Sequence, residues 1–352
     1  MFKGLENNFT STLFSWYNAN RRNLPWRGTN DPYKVWISEI ILQQTRVEQG
    51  LPYYLRFIEK TPDVKSLAQM NEDELLLLWQ GLGYYSRALN LQRSAKIIYY
   101  ELNGQFPKSY IDLLKLPGIG PYTAAAISSF IYNEIQPVLD GNVYRFISRY
   151  FGIYSEINQE RTRKEFIKHL EKLISKSDPG KFNQAIMEFG ALQCVPKNPN
   201  CAECSFELNC FARKNTQVQV LPVKKKSNPK RNRYLNFLVI ASLNKIVIEK
   251  RNNQEIWKNM YQFPLIETKS NDVLEFRSMV NTVGYTSKNT RLIHEENHLL
   301  SHQKLHVRFY EMELKESLIS HQDMVHISSL SEYAFPQIIQ KFIENHITLL
   351  SI

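Results

Sequence analysis

All four cysteines of this 352-residue sequence lie in one short segment, at Cys194, Cys201, Cys204 and Cys210. Six, two and five residues separate them. Four thiolates in one loop suit either a tetrahedral zinc ion or an iron–sulfur cluster. Zinc sites often present two C-x2-C pairs, whereas this segment has one, so the spacing favours a [4Fe–4S] cluster. The clustering also disfavours a disulfide framework and indicates a reducing compartment.

A second group suited to chemistry is the carboxylate of Glu39, in the segment DPYKVWISEIILQQTRV. Asp31 followed by Pro32 is typical of a helix start, and the predicted helix runs to the end of this segment. Apolar residues encircle almost the whole helix, which indicates burial, and Glu39 lies among them. Burial would raise the pKa of this carboxyl toward neutrality, where it could act as a general acid. A glutamate satisfied by a structural partner is the other interpretation.

Asp140, in QPVLDGNVYRFISRYF, is a second candidate carboxylate. It precedes a helix that is predicted to begin near Asn142, so it either caps that helix or takes part in chemistry. The residues alone do not choose between these two roles.

Phosphate binding is predicted for the segment LLKLPGIGPYTAAA, residues 113–126. Gly118 and Gly120 allow a tight turn and leave backbone N–H groups uncovered beside a helix that begins at Pro121. This turn between two helical segments indicates a cradle for a phosphate, although a purely structural turn has the same pattern. Contacts of this kind fix the register of a nucleic acid without reading its bases.

The elements that must position these groups form two parts. Up to about residue 213 the sequence consists of short helical segments broken by Pro and Gly, which predicts an all-α part. The basic segment LPVKKKSNPKRNR, 221–233, is predicted as a linker that is either solvated or in contact with phosphates. Beyond it, β-branched and aromatic runs predict an α+β domain, with Leu305, Val307 and Phe309 alternating along one strand.

Net charge and hydropathy narrow the choice of partner. Lysine and arginine number 44 against 34 aspartates and glutamates, and the net charge of +10 favours a nucleic acid or an acidic membrane surface. The N-terminal segment does not have the pattern of a signal peptide, and no run of about eighteen apolar residues occurs. We therefore expect a soluble cytoplasmic protein.

Several segments in a fixed order resemble one family. VWISEIILQQTRV, GLGYYSRALNL, LPGIGPYT, VLDGNVYRFISR and the cysteine loop are together similar to the adenine DNA glycosylases (MutY), members of the endonuclease III helix-hairpin-helix superfamily, across residues 15–213. The resemblance implies that Glu39 is the catalytic acid and Asp140 the catalytic aspartate. It assigns active-site roles to Tyr122 and Asn142. Related bifunctional enzymes have a nucleophilic lysine where this chain has Tyr122, and a phenol cannot form a Schiff base, so a monofunctional hydrolase is implied.

The same match suggests which residues read the opposite strand. Gln44, Thr45, Leu82 and Tyr84 resemble positions that contact or wedge beside an oxidised guanine, and Arg27 resembles an active-site arginine. For Leu82 and Tyr84, packing in the core is the alternative, because apolar and aromatic side chains fill cores more often than they enter DNA.

The C-terminal part resembles the Nudix-like recognition domain of the same family, through the segment WKNMYQFPLIE. The residues that follow do not contain the paired glutamates of a Nudix hydrolase, so nucleotide hydrolysis is not expected. Ser301 and His302 are candidate lesion contacts, but Leu300 stands where the family usually has Phe, which puts an aromatic wedge in doubt. Four histidines spaced by four, His294 to His306, are not expected to form a helical metal site because their segment ends in a strand pattern.

The predicted fold is therefore multidomain, with an all-α helix-hairpin-helix DNA glycosylase core that carries an iron–sulfur cluster loop and a C-terminal α+β Nudix-like domain. The predicted bounds are 1–213 for the core, 214–233 for the linker and 234–352 for the C-terminal domain. Within the core, residues 26–136 form a six-helix region with the hairpin, and residues 1–25 and 137–213 form the cluster-containing region.

The implied function is removal of adenine mispaired with 8-oxoguanine or guanine in double-stranded DNA. The protein is expected to be a monomer without a membrane partner, associated with the nucleoid in a bacterium. A related glycosylase for mismatched thymine or oxidised pyrimidines, or a non-catalytic damage-binding protein, are the alternatives.

Overall fold

The computed structural model describes residues 2–157, 159–225, 229–252, 256–282, 287–314 and 324–347. Its contacts divide the chain into two compact units. The first comprises Met1–Gln69 and Asn90–Lys226, and the second comprises Met70–Leu89 and Ser227–Ile352. The sequence did not predict that the segment Met70–Leu89 would be grouped with the C-terminal part, and the predicted domain bounds remain a prediction.

The helices occur mostly in the first part of the chain, as the Pro and Gly signals predict. In chain order they are α1 Phe2–Asn20, α2 Pro32–Leu42, α3 Val47–Lys60, α4 Val64–Gln69, α5 Glu72–Trp79, α6 Ser86–Lys96, α7 Tyr110–Leu113, α8 Pro121–Tyr132, α9 Gly141–Phe151, α10 Glu160–Leu173, α11 Pro179–Leu192, α12 Phe211–Lys214, α13 Val273–Thr282 and α14 Gln337–His346. Among the described residues, no helix has the length and apolar character needed to cross a membrane.

Helix α2 begins where the sequence predicts it. The Asp31 side chain accepts a hydrogen bond from the Tyr33 N–H at 2.9 Å, and Pro32 occupies the first turn. The prediction that this helix continues through QQTRV was wrong. Gln44 has a φ of 59°, and the Thr45 N–H closes a turn onto the Leu42 carbonyl before α3 begins. Apolar periodicity did not reveal the break because α3 also buries one of its faces.

One hydrophobic core of the first unit is built from α1, α8, α9, α10 and α11. Its fully buried aromatic side chains include Phe166, Phe182 and Phe189. Helix α9 ends at Gly152, whose φ of 73° suits glycine, and an added Cβ there would lie 2.5 Å from the Phe211 ring. The cysteine loop between α11 and α12 is therefore packed directly against the C-terminal end of α9.

The second unit contains strands β1 Arg231–Val239, β2 Ala241–Ser242, β3 Lys245–Val247, β4 Glu249–Lys250, β5 Tyr261–Gln262, β6 Leu265–Thr268, β7 Ser287–Leu299, β8 Gln303–Leu314 and β9 Met324–His326. The largest sheet has the order β6-β1-β8-β7, with β1 and β8 parallel and the other pairs antiparallel. Strand β1 begins inside the range 214–233 that was predicted as linker. Residues 226–228 of that range lie outside the described residues.

Both faces of this sheet are covered. Leu235 and Phe237 pack with α14 on one face, and Leu238 packs with α13 on the other. The alternating strand predicted around Leu305, Val307 and Phe309 is confirmed as β8, and all three residues are buried. The histidines from His294 to His306 lie on β7, β8 and the turn between them, so the strand pattern predicted for this segment is confirmed.

Candidate active site and cluster loop

Glu39 lies on α2 with only 6% of its surface exposed, as its position in the apolar helix predicts. The Tyr122 hydroxyl donates a hydrogen bond of 2.6 Å to Glu39 Oε2. Burial raises the pKa of Glu39 to about 7; the charge of Asp140 adds to this rise, while the Tyr122 hydrogen bond and the charge of Arg27 oppose it. A carboxyl with this pKa is available as a proton donor near neutral pH.

Tyr122 is in the first turn of α8, directly after the hairpin. Burial, followed by the charges of Glu39 and Asp140, raises the pKa of its phenol well above the ordinary value. The phenol therefore stays protonated and acts as a donor to Glu39.

Asp140 caps a helix and also lies close enough to Glu39 and Tyr122 for its charge to raise both pKa values, so the two roles left open by the sequence are compatible. Its Oδ1 accepts from the Val143 N–H at 2.7 Å at the start of α9, and its Oδ2 accepts from Asn142 Nδ2 at 2.7 Å. Burial raises the pKa of Asp140, although these hydrogen bonds oppose the rise. Because two donors hold the carboxylate, its orientation is fixed relative to α9.

Asn142 is held in turn by Arg145, which sequence reasoning did not single out. The Arg145 guanidinium donates to Asn142 Oδ1 at 2.9 Å and to the Cys194 carbonyl at 2.7 Å. It also bonds the carbonyl of Gly190, where an added Cβ would lie 2.7 Å from the Asn142 carbonyl oxygen. A continuous set of hydrogen bonds thus connects Asp140 to the first cysteine of the loop.

A second residue missed by sequence reasoning is Glu188, on α11, whose side chain is 1% exposed. Its carboxylate accepts hydrogen bonds from both Arg27 and Arg22, with shortest distances of 2.7 Å. Burial opposes ionisation, but these donors outweigh it and lower the pKa of Glu188 to about 2. The sequence signal was a glutamate between Met187 and Phe189, the same type of apolar setting that identified Glu39.

The predicted hairpin is present between α7 and α8. Gly118 has a φ of 77°, and a Cβ there would lie 2.7 Å from Asn90 Cβ, so glycine is required for both conformation and space. Gly120 precedes α8, and a Cβ built on it meets nothing within 4 Å. The Ser94 hydroxyl donates to the Pro117 carbonyl at 2.7 Å and fixes the turn.

The four cysteines line one concave pocket, whose wall includes Phe146, Phe189 and Phe206. Arg149 Nη1 donates to Cys194 Sγ at 3.4 Å, and the same guanidinium bonds the carbonyls of Val195 and Pro196. Within the described residues, no three or more His, Cys, Asp or Glu side chains are arranged to hold a single metal ion.

The residues that the sequence associates with an oxidised guanine occupy different environments. Gln44 is exposed in the turn after α2, and Thr45 beside it is half-buried. Gln43, which precedes Gln44 and was not singled out from the sequence, donates from Nε2 to Thr123 Oγ1 at 3.2 Å. The side chain of Leu82 is buried, as its alternative interpretation requires.

Tyr84 and Ser301, which are far apart in the sequence, are brought together in the second unit. The oxygen of the Tyr84 hydroxyl lies 2.5 Å from Ser301 Oγ. Tyr84 is 47% exposed and has a φ of 49°, and His302 is exposed next to Ser301. The Arg87 guanidinium lies 5.8 Å from the centre of the Tyr84 ring. Two of the predicted lesion contacts therefore form one accessible polar group.

The hairpin followed by a helix, with two carboxylates and a tyrosine beside it, defines a class of base-excision enzymes. The family "HhH-GPD superfamily base excision DNA repair protein" matches residues 37–176, and the family "NUDIX domain" matches residues 236–345. A thermostable thymine-DNA glycosylase has a similar structure, with a TM-score of 0.55 and 29% identity, over 60% of this chain and 97% of that one. Endonuclease III in a DNA complex, at 21% identity and a TM-score of 0.52, has the same fold over 60% of this chain and 97% of that one.

A relative that covers most of the chain identifies the family. The adenine DNA glycosylase of Buchnera aphidicola subsp. Schizaphis graminum is 39% identical over 300 residues, which are 85% of this chain and 86% of that protein. The human adenine DNA glycosylase is 37% identical over 222 residues, 60% of this chain and 41% of that protein. This chain belongs to the adenine DNA glycosylase family, and it is a DNA glycosylase.

Proposed function

We propose that this enzyme hydrolyses the N-glycosidic bond of adenine placed opposite 8-oxoguanine or guanine in duplex DNA. The observation that carries this proposal is the buried pair of Glu39 and Tyr122, with Asp140 close enough to influence the pKa values of both. Such a pair provides a proton donor at neutral pH next to an anion that could stabilise a cationic sugar.

Each side chain has a distinct role in the proposed reaction. Adenine first leaves the base stack, which costs a few kcal/mol. Glu39 then donates its proton to the adenine ring, and the electron pair of the breaking C–N bond moves to the base. Asp140 stabilises or transiently captures the resulting sugar cation, and water completes the hydrolysis. Tyr122 donates to Glu39 and offers no amine, so a monofunctional reaction follows.

We assign lesion recognition to the second unit and, separately, predict DNA contacts from the turn after α2. Tyr84, Ser301 and His302 present polar atoms from one group, and Gln44 and Thr45 supply contacts from the turn. Leu300 takes the place of the family's usual Phe, so we assign the contact to the hydroxyls rather than to an aromatic wedge. Leu82 would act at this site only by leaving its buried position.

The cysteine pocket fits a [4Fe–4S] cluster, which we propose as the resident cofactor. Four thiols on one concave surface supply the ligand set, aromatic side chains exclude water, and Arg149 supplies a hydrogen bond to a sulfur. When bound, the cluster would cross-link the loop and so hold the chain that supports Arg145. Purified protein should then be yellow-brown with about four irons per chain. A colourless protein with stoichiometric zinc would refute this assignment.

Gly118 and Gly120 are proposed to hold a phosphate of the same duplex. The enzyme is proposed to act as a monomer associated with DNA in the cytoplasm.

The direct test of the proposed substrate is single-turnover excision on three matched duplexes, containing adenine opposite 8-oxoguanine, adenine opposite guanine, and thymine glycol. We expect excision from the first two and no borohydride-trapped covalent product. Excision from the thymine-glycol duplex alone would refute the proposed substrate.

A further inference from the structure

The outer face of α10 carries a row of cations that the proposed reaction does not use. Arg161, Lys164, Lys168 and Lys172 are spaced by three, four and four residues, so they follow one side of the helix, and all four are exposed. We call these four residues the α10 basic face. Among the described residues, none of the three lysines has a carboxylate within 4.0 Å.

The α10 basic face borders the helices that carry the site. Lys164 and Lys168 line one groove together with Pro121, the first residue of α8, and with Gln136 and Pro137 of the segment leading to Asp140. Both lysines also line a second groove that continues along α10 to Arg161 and Lys172.

Packing between α9 and α10 also places the α10 basic face beside the helices of the site. Tyr144 lies one turn after Asp140 and packs against Phe166 of α10, with ring centres 4.9 Å apart. Arg163 is near enough to oppose the rise in the pKa of Tyr144 that burial causes. The cations of α10 therefore adjoin the two helices that contribute Tyr122 and Asp140.

A helix surface with mixed charges is usually only solvated, so the balance of charge matters. The two grooves are lined by five cations, at positions 161, 163, 164, 168 and 172, and by two carboxylates, Glu165 and Glu171. An excess of positive charge in a groove that is also lined by Pro121, the residue before Tyr122, favours a phosphate ligand over solvent alone.

We propose that the α10 basic face binds backbone phosphates of the duplex on one side of the target adenine. This inference rests on the proposed function, because it takes duplex DNA as the ligand. From Arg161 to Lys172 the helix rises by about 16 Å. With one phosphate per 3.4 Å along each strand, that length faces about four or five phosphates. The contact is independent of sequence and adds affinity without reading bases.

The test uses the full-length protein with Lys164 and Lys168 both replaced by Gln. The matched control replaces Lys60 and Lys65, exposed lysines of α3 and α4, in the same way. Affinity for a duplex with long flanks on both sides of the adenine is measured over a range of salt concentrations. Each lost phosphate contact should reduce the slope of log K against log salt by about 0.9, so we expect a reduction of nearly 2 for K164Q/K168Q. The control should keep the wild-type slope.

Duplexes shortened on one side then locate the contact. Removing the flank that α10 binds should abolish the difference between wild type and K164Q/K168Q, whereas removing the other flank should preserve it. An unchanged slope in K164Q/K168Q, or an equal change in the control variant, would overturn the proposal. It would also be overturned if K164Q/K168Q lost binding to anionic lipid vesicles but kept its binding to DNA. Failure to excise adenine would count against the proposed function and not against this contact, because the slope is measured without catalysis.

Discussion

The Arg145 guanidinium bonds the main-chain carbonyl of Cys194 at 2.7 Å, so a residue of the helix capped by Asp140 is tied to the first cysteine of the pocket. The same guanidinium orients Asn142, which orients Asp140. Lysine at position 145 keeps the charge but cannot reproduce this planar set of bonds. We expect R145K to lose about 1.5–3 kcal/mol of stabilisation at the site and to excise adenine at least about tenfold more slowly.

The control for R145K is R213K, since Arg213 lines the same cysteine pocket and its side chain is 49% exposed. Single-turnover excision and visible absorbance should be measured on both variants. A slow R145K that retains full absorbance supports positioning through Asn142. A wild-type rate in R145K would refute it.

The pH dependence of excision should follow Glu39. Only the protonated carboxyl donates, so with a pKa of about 7 the single-turnover rate should be nearly constant below about pH 6 and fall as the pH rises through 7. The rate at pH 8 should be about a tenth of the rate at pH 6. E39Q should lack this alkaline limb and be slower by at least about 10² at pH 6. A wild-type profile that stays flat to pH 9 would exclude Glu39 as the proton donor.

Replacing Glu39 by Gln should slow excision but should raise the stability of the folded protein at alkaline pH. The folded-state pKa is raised from 4.5 to about 7, so the favourable contribution of the protonated form is complete below pH 4.5 and is lost as the pH rises to about 7. At pH 8, E39Q should therefore be more stable than wild type by up to about 3 kcal/mol, because Gln also accepts the Tyr122 hydrogen bond without ionising.

Urea unfolding at pH 5 and pH 8 measures this difference, with E59Q as an exposed control that should follow wild type at both values. If E39Q is destabilised equally at both pH values, ionisation of Glu39 in the folded state is not what limits stability.

Glu188 should influence the proton donor through Arg27. Replacing Glu188 by Gln removes a negative charge that compensates Arg27, so the potential at Glu39 becomes more positive and the pKa of Glu39 falls. The alkaline limb of the rate profile should move to lower pH in E188Q. Loss of one partner from a buried ion pair should also cost about 3–5 kcal/mol of stability. A limb that does not move would show that Glu188 is structural only.

Tyr84 and Ser301 should act as one recognition group. Y84F and S301A each break their shared hydrogen bond, so each should reduce the preference for 8-oxoguanine over guanine opposite adenine by about 1–3 kcal/mol. The double variant should lose little more than either single variant. Additive losses in the double-mutant cycle would show that the two hydroxyls act separately.

A candidate site residue could be predicted from the sequence when its neighbours along the chain were enough to identify it. The burial of Glu39 was predictable because one helix shows it among apolar neighbours, and the capping by Asp140 because capping residues directly precede their helices. Glu188 has the same local setting, but its partners Arg22 and Arg27 are more than 160 residues away in the chain. The break after Leu42 was missed because the two helices that flank it both bury apolar faces.

The Leu221 carbonyl is bonded by the Arg149 Nε at 3.0 Å, and that arginine also bonds Cys194. Leu221 is buried, whereas Lys224 and Lys225 beyond it are exposed. Loosening of the cysteine loop would therefore free the chain at Leu221 and make the adjacent lysines more accessible to trypsin. The rate of proteolytic nicking at Lys224 and Lys225 thus reports the integrity of a pocket that the protease never enters.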